Sequence, residues 1–329
     1  MTRLIAEQVL MIPEKIKEFD QELIKKTGSS LRELAIEASG IGSAPPKPAA
    51  HPVVVIPVTA GQGTIKGFSE ALCAIAAYLG FPASITAASD VSGLVEAYQS
   101  DATIALMADD HLYAAINLKT RRVADNDEAT AKGFTTALQK MAGGLKGKAV
   151  LVIGLGLLGT AAAQALLQEG ADLILYDLIR EKEAALLKSC ATAEQQRITT
   201  GLTLKQALSR THLIFDASPG EAFIPAAMLP TGAIISAPGL PLGLDATAAQ
   251  RYANRLIHEP LQIGTAVMLF QALAKSRGRF ERPAERSEGR REDDGTVPCG
   301  EEDKITHSFK EAVVYGSKKK VLPQTGRFL

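Results

Sequence analysis

Residues 150–177 read VLVIGLGLLGTAAAQALLQEGADLILYD, and this stretch decides the fold. An apolar run, Val150 to Ile153, leads into Gly154-x-Gly156-x-x-Gly159. A helix-forming stretch follows, then a second apolar run, Leu173 to Tyr176, that ends on Asp177. Strand, glycine turn, helix, strand and an acidic residue about 20 positions on together make the signature of a dinucleotide-binding unit. Gly154 lets the chain turn out of the strand. Gly156 lets backbone approach a pyrophosphate, and Gly159 lets helix and strand pack closely. The pyrophosphate then meets a helix N-terminus, where free N–H groups and the dipole favour negative charge. Leu155, Leu157 and Leu158 fill the same turn. Asp177 is expected to accept hydrogen bonds from the adenosine ribose and to repel a 2′-phosphate, which favours NAD as cofactor over NADP. Arg180, nearby, would soften that repulsion. A structural glycine turn in some other α/β protein is the plainer alternative.

The rest of the chain fits around that unit. Its 329 residues suggest two domains with smaller appendages, and 46% hydrophobic content provides a substantial core. Trp is absent and aromatics reach only 5%, so aliphatic packing must dominate. A formal net charge of zero argues against nucleic acid as a partner. Three cysteines, Cys73, Cys190 and Cys299, lie far apart, with no metal spacing and no disulfide framework, so the expectation is no metal and a cytoplasmic location. No apolar run reaches membrane-spanning length, and the first residues lack a continuous apolar leader core.

Residues 1–48 read as an N-terminal helical segment, with a break and a new cap at Thr27-Gly28-Ser29-Ser30. Residues 49–145 alternate strand and helix, which implies a parallel α/β substrate domain. Strands are expected at 53–58, near 84–86 and at 103–108, and helices at 68–79 and 134–141. Residues 146–274 form the Rossmann domain, with strands at 149–153, 172–176, 212–216, 232–236 and 255–258. Residues 275–329 hold 13 of the 36 Lys and Arg and 10 of the 36 Asp and Glu, with few aliphatics, and read as a disordered charged tail.

In doubly wound sheets ligands bind beyond the carboxyl ends of the strands. There lie Thr59 to Gly63, Asp109 and Asp110, Ser218 to Gly220, Ala237 to Gly239, and Glu259 with Pro260. Small residues such as Ser218, Pro219 and Pro238 would let a nicotinamide ribose lie against backbone. Thr59 to Gly67 is no P-loop, because no Gly-Lys-Ser/Thr ends it; Thr59 or Ser69 would instead donate to a substrate. His111 and His258 read as structural, and Tyr113 with Lys119 forms no YxxxK pair. Asp109 and Glu259 end strands in different domains and would face a common cleft. An ammonium substrate suits carboxylates, which attract the cation and take its proton before hydride leaves. Turn caps or ion-pair members are the alternative for both.

Ile56-Pro-Val-Thr-Ala-Gly-Gln-Gly63, Gly67-Phe-Ser-Glu70, Asp90-Val-Ser-Gly93, Leu106-Met-Ala-Asp-Asp110 and Glu259-Pro-Leu-Gln-Ile-Gly-Thr-Ala266 together resemble the dehydrogenases of pyrrolysine biosynthesis, the PylD family. The resemblance spans roughly residues 12–273. It implies an N-terminal helical lid, a central α/β domain, a C-terminal Rossmann domain and a homodimer. It also implies the substrate, 3-methyl-D-ornithyl-N6-L-lysine. NAD takes hydride from the carbon bearing the ornithine terminal amine, ammonia is lost on hydrolysis, and ring closure gives pyrrolysine. Residue by residue, it places family acids on Asp109 and Glu259 and a substrate-binding asparagine on Asn126. Asp125 departs from a pattern that can carry two asparagines, adding negative charge near the site if it faces inward. Another NAD-dependent amino-acid or imino-acid dehydrogenase, or a non-catalytic NAD-sensing protein, are the alternatives.

Overall fold

The computed structural model describes residues 4–42 and 47–274; the charged tail expected beyond 274 lies outside them. Helices α1 (Ala6–Val9), α2 (Ile12–Thr27) and α3 (Leu31–Ser39) open the chain. Helix α2 stops because Gly28 adopts a left-handed φ of 72°, which a glycine takes without strain. Two residues on, Ser30 caps α3 in a reciprocal box with Glu33.

The first sheet then forms from β1 (Val53–Ile56), α4 (Phe68–Tyr78), β2 (Ala83–Ile85), α5 (Asp90–Gln99), β3 (Ile104–Ala108), β4 (Tyr113–Asn117) and β5 (Val123–Asp125). Its order is β2-β1-β3-β4-β5. The sequence predicts a parallel sheet here; the sheet is mixed. Strands β1, β2 and β3 run parallel, but β4 pairs antiparallel with β3, and β5 antiparallel with β4. The cause is the short turn Asp109 to Leu112, which allows a hairpin where a parallel connection would need a helix. The helix expected at 134–141 begins earlier: α6 spans Asn126–Ala142. Its first turns read as polar, yet Ala129 and Ala131 are buried and Asp125 caps the start.

The second sheet follows from β6 (Ala149–Ile153), α7 (Leu157–Gln168), β7 (Asp172–Tyr176), α8 (Arg180–Ser189), α9 (Thr192–Gln195), β8 (Ile198–Thr199), α10 (Leu204–Leu208), β9 (Leu213–Asp216), β10 (Ile234–Ser236), α11 (Ala246–Arg251) and β11 (Leu256–Ile257). All its pairings are parallel, in the order β11-β10-β9-β6-β7-β8. This is the doubly wound Rossmann order, and its switch point falls between β6 and β9.

The last helix, α12 (Gln262–Leu273), returns to the first half. It packs against α3, α4, α6 and β4, while α6 also touches α7 and β10. One apolar cluster therefore runs from Leu31 and Leu72 through Phe134 and Phe270 to Val152 and Phe215. The carboxyl ends of both sheets are thereby fixed around a shared space. Among the described residues no helix is long and apolar enough to cross a membrane.

Candidate active site

A cavity of about 510 Å³ occupies that shared space. One wall is the glycine turn. Gly154 takes a φ of 82°, and a Cβ on it would press on the backbone of Ser218, so it lies at the contact between the β6 and β9 ends. A Cβ on Gly159 would run into the carbonyl oxygen of Gly154, so this glycine sets how closely α7 meets β6. Gly156 differs. It lines the cavity, its φ is an ordinary −75°, and a Cβ there would meet nothing within 4 Å. The folded chain itself has no need of glycine at 156. The space beside it opens at the start of a 12-residue helix, where backbone N–H groups favour negative charge.

Leu157, Leu158 and Gly159 line the cavity with Gly156, as do Ser218, Pro219 and Pro238 from the β9 and β10 ends. Leu155 does not; its side chain is buried and its N–H donates to Asp177 Oδ2 at 2.7 Å. Asp177 is not part of the lining either. Its Oδ1 accepts from Ile179 N at 2.9 Å, so the carboxylate ties the glycine turn to the end of β7. Ser218 Oγ donates to Asp216 Oδ1 at 2.6 Å. Asp216 is fully buried, with its Oδ2 against Gly243. Burial pushes its carboxyl up to about 6, against the opposing pull of Ser218 and of the Gly243 backbone.

The facing wall is acidic. Asp109, Asp110, Asp127 and Glu259 all line the cavity, and among the described lining residues there is no Lys, Arg or His. Asp109, Asp110 and Glu259 are anchored by backbone N–H groups. Asp109 Oδ1 accepts from His111 N and Leu112 N, both at 2.7 Å, and so closes the β3–β4 turn. Asp110 Oδ2 accepts from Gln62 N at 2.8 Å. Glu259 is buried at the N-terminus of α12. Its Oε1 accepts from Ile263 N at 2.7 Å, and its Oε2 from Leu261 N at 2.8 Å and from Gln262 N. Burial raises its pKa above the usual carboxylate value, although the three N–H donors pull the other way. The two readings of these acids, turn caps or cleft residues, turn out to be compatible: Asp109 and Glu259 are both.

Asn126 and Ser69 also line the cavity. Asn126 Oδ1 accepts from Thr130 Oγ1 at 3.2 Å, which leaves the amide Nδ2 as a donor. A Cβ on Gly264 would crowd both Asn126 and Thr130, so this contact brings α12 close to α6. Asp125 does not face inward: its Oδ1 accepts from Asp127 N and Glu128 N as the cap of α6. Thr59 lies outside the lining; its N–H donates to Asp90 Oδ1 at 2.7 Å and its hydroxyl to Asp90 Oδ2. Those two donors hold the Asp90 carboxyl below its ordinary pKa. Sequence reasoning missed Asp127, Tyr113 and Leu4 as cavity residues. Asp127 could have been suspected, two places after a cap; Leu4 carries no signal at all.

The sequence profile described as "Pyrrolysine biosynthesis protein PylD, N-terminal domain" matches residues 8–124. Pyrrolysine synthase of Methanosarcina acetivorans is 32% identical over 271 residues, 80% of this chain and 99% of that protein. Pyrrolysine synthase of Methanosarcina barkeri is 34% identical over 275 residues, 83% and 98% respectively. The chain belongs to the pyrrolysine synthase (PylD) family. The family match runs across both sheets and takes in the acidic wall as well as the glycine turn. Among solved structures, the quinate dehydrogenase of Corynebacterium glutamicum in complex with NAD is 14% identical, with a TM-score of 0.48, over 68% of this chain and 93% of that one. The shikimate dehydrogenase of Aquifex aeolicus is likewise 14% identical, with a TM-score of 0.46, over 68% and 90%.

Proposed function

We propose that the protein is an NAD-dependent dehydrogenase that oxidises the terminal amine of 3-methyl-D-ornithyl-N6-L-lysine to the semialdehyde. Ammonia is released and the product cyclises to pyrrolysine. The observation that carries this reading is the charge of the cavity: four carboxylates among its described lining residues, opposite a turn that suits a diphosphate. The proposed substrate arrives with its amines as ammonium ions and a net positive charge, and such a wall attracts it.

NAD bound along the glycine turn would supply the hydride acceptor. The backbone N–H groups at the start of α7, Ser218 and the two prolines would hold and orient it. Among the acids, Glu259 is the proton acceptor in this reading. It is buried, and a raised carboxyl pKa brings it nearer the value a general base needs at neutral pH. Asp109, less buried, would grip an ammonium group and orient the chain. Asn126 Nδ2 would donate to the substrate amide and Ser69 would complete the polar contacts, while Asp177 would meet the ribose.

The test is to incubate the purified chain with NAD and the methylornithyl-lysine precursor, following NADH absorbance and product mass. NADH together with a cyclic imine product is the expected result. Turnover of free ornithine or lysine in place of the precursor would move the protein to a general amino-acid dehydrogenase. NAD binding without turnover of any amine would leave only a sensor. A homodimer is the expected assembly, checked by sedimentation equilibrium.

A further inference from the structure

We propose that Glu183 is a specificity-determining residue. By immobilising Arg180 it keeps that guanidinium from meeting a 2′-phosphate, and so excludes NADP from the site. The inference rests on the reading of the glycine turn and Asp177 as a dinucleotide site.

Glu183 lies in the first turns of α8, directly after the β7 end that carries Asp177. Its side chain is only 3% exposed. Oε1 accepts from Arg180 Nη1 at 2.9 Å and from Asp177 N at 3.3 Å, while Oε2 accepts from Gly201 N at 2.8 Å. One carboxylate thus fastens the end of β7, the start of α8 and the turn after β8. Arg180 is held a second time, with its guanidinium over the Tyr176 ring at 5.8 Å.

An arginine in this place is chemically suited to a phosphate, because its planar fork binds two oxygens at once. Here one arm of the fork is engaged: Nη1 bonds the buried Glu183 carboxylate, while the Arg180 side chain is itself 46% exposed. The oxygen that takes Arg180 also takes the Asp177 N–H, so the guanidinium sits one carboxylate away from the ribose-facing acid. The Arg180–Glu183 pair is neutral as a unit, which leaves the Asp177 charge in force. Lys182 Nζ stands 3.9 Å from Asp177 Oδ2, but Lys182 is 43% exposed and the separation exceeds a hydrogen bond, so water screens most of that attraction. The sequence alone suggests that Arg180 softens the repulsion of a 2′-phosphate. The ion pair reverses that expectation.

The experiment is titration of NADH and NADPH, followed by nicotinamide fluorescence, on the full chain and three variants. The wild type should bind NADH about 100-fold more tightly than NADPH, the scale of like-charge rejection in a partly desolvated site. E183Q should strengthen NADPH binding about tenfold and leave NADH within roughly threefold, because the freed guanidinium can then neutralise the phosphate or Asp177. The double variant E183Q/R180A should lose that gain. R180A alone should leave both affinities within about threefold, since the locked arginine contributes little to either. An unchanged NADPH affinity in E183Q, or a gain that survives in the double variant, would overturn the proposal. So would a tenfold loss of NADPH binding in R180A, a variant that keeps the Glu183 bond to Gly201 and does not depend on how E183Q folds. A wild type that binds neither nucleotide sinks the cofactor reading itself. One that binds both equally sinks this inference and leaves that reading standing.

Discussion

The two walls of the cavity are built on opposite plans. The glycine wall is made by leaving side chains out: Gly156 opens a space next to backbone, and none of the described residues fills it. The acidic wall is made by putting charges in, and those whose bonds are described are tied to backbone N–H groups nearby. On the first wall, folding and binding are separable residue by residue. On the second they share the same atoms, because a carboxylate that closes a turn is also the one presented to the ligand.

The largest expected effect breaks the acidic wall. E259Q should lower kcat by about 1,000-fold, the range for a lost general base, and leave NADH affinity within roughly threefold. Rapid-mixing NADH formation with a parallel NADH titration checks this, and a near-normal rate would remove Glu259 from proton transfer. D109N should reduce kcat/KM by about 100-fold, mostly through KM for the amine, because an amide keeps the turn but not the charge. Steady-state kinetics at saturating NAD separate the two parameters.

The glycine wall is tested by a pair of substitutions expected to part company. G156V should weaken NADH binding by about 100-fold with little change in stability, since its side chain enters only the ligand's space. G159A should do the reverse. Its methyl collides with the Gly154 carbonyl, for a loss on the order of 3 kcal/mol in chemical denaturation, the scale of overpacking at a close backbone contact. If both variants lost stability equally, the separation of roles at this turn would be wrong.

The smallest effect belongs to Asp216, which joins the walls by holding Ser218. Its folded-state pKa of about 6 lies above the ordinary 3.8. The unfolded chain gives up this proton more readily, so the contribution to stability is full below about pH 4. It falls as pH rises through 6 and is constant above, for a swing on the order of 2 kcal/mol. Urea unfolding at pH 4.5 and 7.5 should show that swing in the wild type and a smaller one in D216N. An identical pH dependence in the two proteins would place the titration elsewhere.

How far the sequence can be read follows the same division. The parallel sheet was legible because its central strands, Val150–Ile153 and Leu173–Tyr176, are unbroken apolar runs bounded by glycine and acid. The first sheet was half legible. Strand β4 pairs antiparallel because a four-residue turn precedes it, and apolar periodicity does not carry strand direction. The first half of α6 was hidden because Asn126 to Lys132 buries small alanines beneath polar neighbours, which leaves no strong helical stripe. At the site, Gly156, Ser218 and Glu259, read from strand ends and the glycine motif, and Asn126, implied by the family resemblance, all line the cavity. Thr59 was not, because its partner Asp90 is distant in sequence and takes both its donors. Sequence position does not distinguish Asp110 from Asp109; only the fold turns both toward the same space.

Helix α12 has apolar or small residues on every side and none of its side chains faces water over most of its length. It covers Leu31, Leu34 and Phe134, which leave the ribosome far earlier. The half of the molecule that is synthesised first therefore cannot complete its own interior. It must wait, with an uncovered groove, until nearly all of the parallel sheet has been translated and its closing segment arrives.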